Sequence, residues 1–305
     1  AVNAKAGDEE VRCPRLLDLD GDGQSEALFY VASQGAFQVL KRAKDDVFRY
    51  ARSIEVGELE LGSLVHLKLG KPALPRLLAF GRSAFWTIPL KGDSSGMSVT
   101  SRHQTDLKDV SYSSAAFGDF DGDGDVDLYL SNYGHADIEN PEGTGSANQM
   151  FVNENGVFRD VTSESNLGNP GHSSASVWVD YDHDGDMDCY SMNFGMIDEY
   201  TGLARAETNI LYQNDGDSNG DGIPEFNDQT SEAGVYGHNE NDVADFETQI
   251  GPALTVVLTG SASPSGQMSL PEGVREDPKG SGLSWAAVWF DADGDGWEDL
   301  YVASD

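Results

Sequence analysis

Residues 115–132 read AAFGDFDGDGDVDLYLSN, and the middle of this stretch decides the fold. Positions 119–127 form a loop with carboxylates at its first, third, fifth and ninth places: Asp119, Asp121, Asp123 and Asp127. Carboxylates crowded in this way repel one another unless a cation lies among them. Calcium suits the arrangement, because it takes roughly 6–8 hard oxygen ligands and tolerates flexible geometry. Gly122 and Gly124 let the backbone curl, and Asp125, at the seventh place, offers its carbonyl oxygen. An apolar segment enters the loop, and Leu128-Tyr129-Leu130 leaves it as a strand.

The same spacing recurs along the chain. One copy carries Asp18, Asp20, Asp22, Gln24 and Glu26, and another Asp180, Asp182, Asp184, Asp186 and Asp188. A third carries Asp291, Asp293, Asp295, Trp297 and Asp299. A weaker relative has Asp217, Asn219, Asp221, Ile223 and Glu225. A single acidic loop is often only a solvated turn, but this much repetition predicts up to five Ca²⁺ sites. These are not EF-hands. At the twelfth place, where an EF-hand needs a bidentate Glu, the four stronger copies carry Phe29, Leu130, Ser191 and Val302. The runs that follow are β-type rather than amphipathic helices.

Composition limits the function. The chain has 305 residues, 53 of them acidic and 19 basic, for a formal charge of −34. Such a field disfavours nucleic acid and anionic membrane as partners and suits a basic surface. No apolar run approaches the roughly 18–20 residues that span a bilayer. Extracellular calcium modules bind at about 10⁻⁴–10⁻³ M. In calcium-poor cytosol these loops would be empty and self-repelling, so the expected location is secreted, periplasmic or cell-surface. The chain has no Asn-x-Ser/Thr sequon, which fits a bacterial origin. Cys13 and Cys189 are the two cysteines; a disulfide and two buried thiols both remain open.

The organisation follows from the cassettes. Residues 1–11 are a polar lead-in, and repeats fill 12–305. Residues 58–110 hold strand-like runs without an acidic loop and read as a unit whose metal loop is lost. After the cassette at 119–127 comes Asn148-Gln-Met-Phe-Val-Asn153, an Asn-Gly turn, and Val157-Phe158-Arg-Asp160-Val-Thr162: a hairpin. After the cassette at 180–188 come Asn209-Ile-Leu-Tyr212-Gln-Asn214 and Phe226-Asn-Asp228-Gln-Thr230, the same plan with the Asp217 loop inserted at its tip. Residues 237–283 break the period and read as an inserted loop suited to specificity. The last cassette restarts the pattern, so the chain is expected to stop inside a repeat, with further strands supplied by a longer chain or from elsewhere.

Repeats of a strand, an acidic loop and a hairpin suggest a β-propeller. The cassettes resemble FG-GAP/VCBS repeats of the kind found in integrin α-subunit propellers. Asp127-Leu-Tyr129, Asp188-Cys-Tyr190 and Asp299-Leu-Tyr301, with the two hairpins and Ser231-Glu-Ala-Gly-Val235, resemble bacterial relatives of cartilage acidic protein and UnbV. The resemblance implies an all-β propeller of about seven blades with calcium on one rim, this chain supplying about four and beginning a fifth. It implies no reaction, since such propellers act mostly in adhesion and interaction.

Catalytic signatures are sparse. Gly92-Asp-Ser-Ser-Gly96 only echoes a serine-protease motif, and the six histidines show no ligand spacing. His183, inside a cassette, is expected to point into solvent. Trp178, Tyr190, Trp289 and Tyr301 are expected to pack between repeat units, whereas Trp297 is the aromatic best placed for ligand contact. The reading is a calcium-stabilised extracellular module that binds a protein or glycan and catalyses nothing. Its rivals are a calcium-propeller polysaccharide lyase or hydrolase and a structural subunit of a larger envelope assembly.

Overall fold

A computed structural model describes residues 11–20, 22–57, 63–69, 74–81, 84–90, 101–104, 112–133, 147–154, 156–194, 196–197, 204–205, 207–235 and 284–304. Nearly all of the lead-in, the Gly92–Gly96 echo and the insert at 237–283 lie outside the described residues. The described chain is all-β and antiparallel, and it divides into two compact units: residues 1–108 with 154–157, and residues 109–153 with 158–305.

The first unit holds two four-stranded meanders. Strands β1 (Val11–Leu17), β2 (Glu26–Val31), β3 (Ala36–Arg42) and β4 (Phe48–Glu55) make one, with the first cassette turning β1 into β2. Strands β5 (Ser63–Leu69), β6 (Leu74–Phe80), β7 (Ala84–Pro89) and β8 (Ser101–Gln104) make the other. Only Gly-Lys-Pro-Ala joins β5 to β6. Alternation along the strands puts Leu28, Tyr30, Phe37 and Val39 on one face, where they pack against Leu64, Leu77, Ala79 and Ile88 of the second sheet.

The second unit repeats the plan. Strands β9 (Tyr112–Gly118), β10 (Asp127–Asn132), β11 (Gln149–Glu154) and β12 (Val157–Asp160) form a sheet, followed by a single helical turn, α1 (Thr162–Ser165). Next come β13 (Ser173–Val179) and β14 (Asp188–Asn193), then a small pair, β15 (Met196–Ile197) with β16 (Ala204–Arg205). Strands β17 (Ile210–Asn214) and β18 (Phe226–Asp228) complete the sheet begun by β13 and β14, and the turn α2 (Thr230–Ala233) closes it. Strands β19 (Ser284–Phe290) and β20 (Asp299–Ser304) pair with each other. Four four-stranded sheets, the small β15–β16 pair and this terminal pair are thus seen among the described residues, in number the four repeat units and the start of a fifth expected of this chain.

Sheet stacks on sheet through aromatic contacts. Trp178 of β13 lies flat on Phe120 at 3.7 Å between ring centroids and edge-on to Tyr129 at 5.5 Å. Trp289 of β19 meets Tyr190 edge-on at 6.2 Å. Strand β13 has β9 on one side and β19 on the other. Trp178, Tyr190 and Trp289 are therefore core residues, whereas Tyr301 is 62% exposed. Cys189 is a free thiol buried in the same core, and burial pushes its pKa well up.

A polar rivet recurs with each hairpin. Asn148 Oδ1 accepts the Asn132 N–H at 2.8 Å, and its Nδ2 donates to Tyr129 Oη and onward to Ser173 Oγ of the next sheet. Asn209 does the same with the Asn193 N–H, Tyr190 Oη and Ser284 Oγ. The Phe-x-Asp-x-Thr pattern has a parallel logic. Asp160 and Asp228 accept the N–H of Thr162 and Thr230, whose hydroxyls in turn accept the N–H of Met150 and Leu211. The sequence places residues 161 and 162 in the strand; these side-chain bonds stop it at Asp160 and start α1.

Candidate metal centres

Each cassette closes a β-turn-β connection, and its ninth residue locks it. Asp127 is fully buried; its Oδ2 accepts the Phe120 N–H and its Oδ1 the Asn153 N–H, each at 2.8 Å. Asp188 binds the N–H groups of Tyr181 and Asn214 in the same way. Glu26 accepts from Leu19, and Asp299 from Ala292. The ninth carboxylate thus ties the loop to itself and, in two sheets, to the third strand. Burial, and secondarily the neighbouring carboxylates, pushes Asp127 and Asp188 up to about 7 against the bonds they accept.

The first residue organises the turn. Asp291 accepts the N–H groups of Gly294, Asp295 and Gly296, and Asp217 those of Gly220, Asp221 and Gly222. The third residue accepts from the fifth, as in Asp121 with Asp123, and the fifth from the seventh, as in Asp123 with Asp125 and Asp295 with Trp297. The fourth place needs a positive φ. Gly122 sits at +72°, and His183 holds the same place at +60°, a region side chains seldom enter.

The structure brings three carboxylate oxygens within 4.8 Å of one another in four cassettes: Asp18/Asp20/Asp22, Asp119/Asp121/Asp127, Asp180/Asp182/Asp184 and Asp291/Asp293/Asp295. The donor set is all hard oxygen, and Asp180 Oδ1 is buried without a hydrogen-bond partner. Both features fit a divalent hard cation. Burial, followed by the charge of the neighbouring aspartates, drives Asp182 upward, and Asp121 shifts the same way.

Two cassettes depart from that pattern. In the first, the Lys41 ammonium from β3 enters the cluster; it bonds Asp20 and lies 3.4 Å from Glu26 Oε1 and 4.0 Å from Asp22 Oδ2. These bonds, Asp20 first, raise the Lys41 pKa. The Asp217 loop has no such carboxylate triad among the described residues. Its Glu225 instead accepts from Asn219 Nδ2 at 2.9 Å and Ser218 Oγ at 2.6 Å.

Sequence reasoning missed Lys41, and it missed Gln213, whose amide donates to Asp182. Neither is near its cassette in the chain; the signal is a cross-strand position two strands away. His183 is not merely solvated. Its ring stacks on Trp297 at 4.3 Å, and Nε2 meets Glu298 Oε2 at 2.7 Å. Trp297 is 53% exposed, with one face covered by that imidazole.

A family model described as FG-GAP-like repeat matches residues 119–191. This stretch runs from the cassette after β9 to β14, one full period, and is an FG-GAP-type repeat. No curated protein matches the chain. No helix among the described residues is long and apolar enough to cross a membrane.

Proposed function

We propose that the chain is a calcium-stabilised, extracellular binding module of the adhesion type, in which the sheets are blades of a β-propeller and the cassettes lie along one rim. The carboxylate triads carry this reading: three carboxylate oxygens converge within 4.8 Å in four separate cassettes, from the first, third and fifth places in three of them and from the first, third and ninth in the other. Asp119, Asp121, Asp180, Asp182, Asp184, Asp291, Asp293 and Asp295 would hold the ions. The seventh-place carbonyls of Asp125, Asp186 and Trp297 would add oxygens; Asp188 and Asp299 serve mainly as loop locks, and Asp127 would both lock its loop and complete its triad. Bound calcium supplies charge neutralisation and cross-links each turn; the chain's own residues do the rest. The partner is a protein or glycan met on the exposed surface, and the location is secreted, periplasmic or cell-surface. Calorimetric titration of chelator-treated protein tests the metal reading. Binding near 10⁻⁴–10⁻³ M with a rise in Tm supports it, and no heat with an unchanged Tm removes it.

One observation favours the enzyme reading. His172 Nδ1 meets Glu207 Oε1 at 2.7 Å, both side chains are buried, and His172 Nε2 has no hydrogen-bond partner. A carboxylate-oriented imidazole is a proton-transfer pair of the kind a polysaccharide lyase or hydrolase needs. The Tyr133 ring lies 5.8 Å away. Turnover on a pectin or alginate panel, lost in His172→Ala, would establish it. Absence of turnover leaves the pair as a structural bond that fixes the loop before β13.

A further inference from the structure

In three sheets, one position on the third strand stands beside the cassette that joins the first two. In the β1–β4 sheet Ala27 pairs with Leu40, so the next residue of β3, Lys41, falls opposite Glu26, the ninth place of its cassette. In the sheet of β13, β14, β17 and β18, Cys189 pairs with Tyr212, which sets Gln213 opposite Asp188. In the β9–β12 sheet Leu128 pairs with Phe151, which sets Val152 opposite Asp127. The register is the same each time, while the side chain is an ammonium, an amide or an alkyl group.

Two of these side chains reach the same group of the motif. Lys41 Nζ donates to Asp20, and Gln213 Nε2 donates to Asp182 at 2.5 Å; both acceptors are third-place aspartates and members of their carboxylate triads. The consequences differ. An ammonium brings a full positive charge to the place where a cation would sit, and Lys41 lies near Glu26 and Asp22 as well. An amide brings no net charge. It uses one of the roughly four lone-pair sites of a carboxylate, fixes the group's orientation, and leaves the rest for a metal. Hydrogen bonds of this second kind are what hold the carboxylate ligands of metal sites in place. Val152 is buried in the core and has no polar atom to offer Asp121 from its side chain.

We propose that this third-strand residue selects what neutralises its cassette: Lys41 fills the first with an internal ammonium and closes it to calcium, whereas Gln213 is a positioning residue that holds Asp182 ready for the ion. The selection rests on the calcium reading above and names the residues that decide occupancy. The cassette at 18–26 is then a turn of the same shape that needs no metal, and the one at 180–188 would take the same form if it were given a lysine.

Exchanging the two residues and titrating the chelator-treated full chain with calcium in a calorimeter tests this. Gln213→Lys is expected to bind one calcium fewer than the wild type. Its melt in chelator should not fall, because the ammonium relieves the repulsion that the ion otherwise relieves. Adding Asp182→Ala to it should cost no further calcium, which places the lost site at 180–188. Gln213→Met keeps the length and removes the donor; it is expected to keep the site but weaken it about tenfold or more, with a melt in chelator near that of the wild type. Lys41→Gln is expected to gain one calcium, and it decides the matter if Gln213→Lys does not fold. A wild type that binds calcium while Gln213→Lys binds as many ions as tightly overturns the proposal and leaves the calcium reading standing. So does a Lys41→Gln variant that gains none, and so does an undiminished affinity in Gln213→Met. A wild type that binds no calcium removes both.

Discussion

The cassettes at 18–26 and 119–127 share one spacing and solve its electrostatics differently. In the first, an ammonium from β3 sits among Asp20, Asp22 and Glu26. In the second, Asp119, Asp121 and Asp127 converge, and no lysine or arginine is seen to pair with them among the described residues. The ninth residue differs too. Glu26 is seen to accept one loop N–H, from Leu19, whereas Asp127 accepts two, one of them from the third strand. Spacing thus fixes the turn, while the strand two places away decides how its charge is balanced. An acidic loop motif predicts a need for positive charge; it does not say whether a metal or a side chain meets it.

The largest effect should come from the lock. Asp127→Ala leaves the N–H groups of Phe120 and Asn153 buried without acceptors, at about 1–3 kcal/mol each. Denaturant titration should show a loss of about 2–6 kcal/mol in chelator and at least as much in calcium, since Asp127 also belongs to its cassette's triad. Glu26→Ala should lose less, since only the Leu19 N–H is orphaned. Equal losses at the two sites would break the distinction drawn between them.

Next comes the cation. Asp182→Ala should lower stability by about 1.4 kcal/mol when calcium is ten times the dissociation constant, and far less in chelator. Asp20→Ala should show a weaker calcium dependence, because Lys41 already occupies its cluster. Thermal melts of both variants with and without chelator check this; a larger calcium-dependent loss for Asp20→Ala reverses the assignment.

Acidity gives a signature of opposite sign in the two metal states. Without calcium, burial chiefly pushes Asp127 and Asp188 in the folded chain up to about 7, from the ordinary aspartate value of 3.8. Between these values the folded state binds protons that the unfolded state does not. Stability of the chelated protein should therefore rise as pH falls through about 7 and level off towards about 4. With calcium present, protons compete with the ion and the trend should reverse. Melts at about pH 7.5 and about pH 5.5 read both slopes. Asp127→Asn with Asp188→Asn should flatten the chelated one; an unchanged slope assigns it to other groups.

Much of this was legible because the signals are local. The nine-residue spacing, the second Asn of the Asn-x-x-x-x-Asn strand and the Phe-x-Asp-x-Thr return carry their hydrogen bonds within one sheet. The placement of the Asp217 loop at a hairpin tip followed by aligning Asp228 with Asp160. Lys41, Gln213 and the His183–Trp297 stack were not legible. Their partners lie across strands or in the next cassette, and nothing in the local pattern marks a lysine on β3 as a neighbour of Asp20. The His172–Glu207 pair was hidden for the same reason, being joined across residues 172 and 207 at the end of the sheet away from the cassette. Tyr301 was misjudged because its burial depends on a covering sheet rather than on its own strand.

The smallest effect is the most pointed test of the contrast between cassettes. Lys41→Met removes the ammonium while keeping an unbranched apolar stem that can lie along β3. Lys41 is half exposed, with a relative accessibility of 48%, so stability in chelator should change little, as for most surface ion pairs. Calcium should then be the only positive charge left to the cluster of Asp18, Asp20 and Asp22. The titration should gain binding at this loop, and the first unit should acquire a calcium-dependent melt like that of the second. If Lys41→Met instead leaves calcium binding unchanged, the ammonium was never a substitute for the ion. The two cassettes would then differ only in their locks.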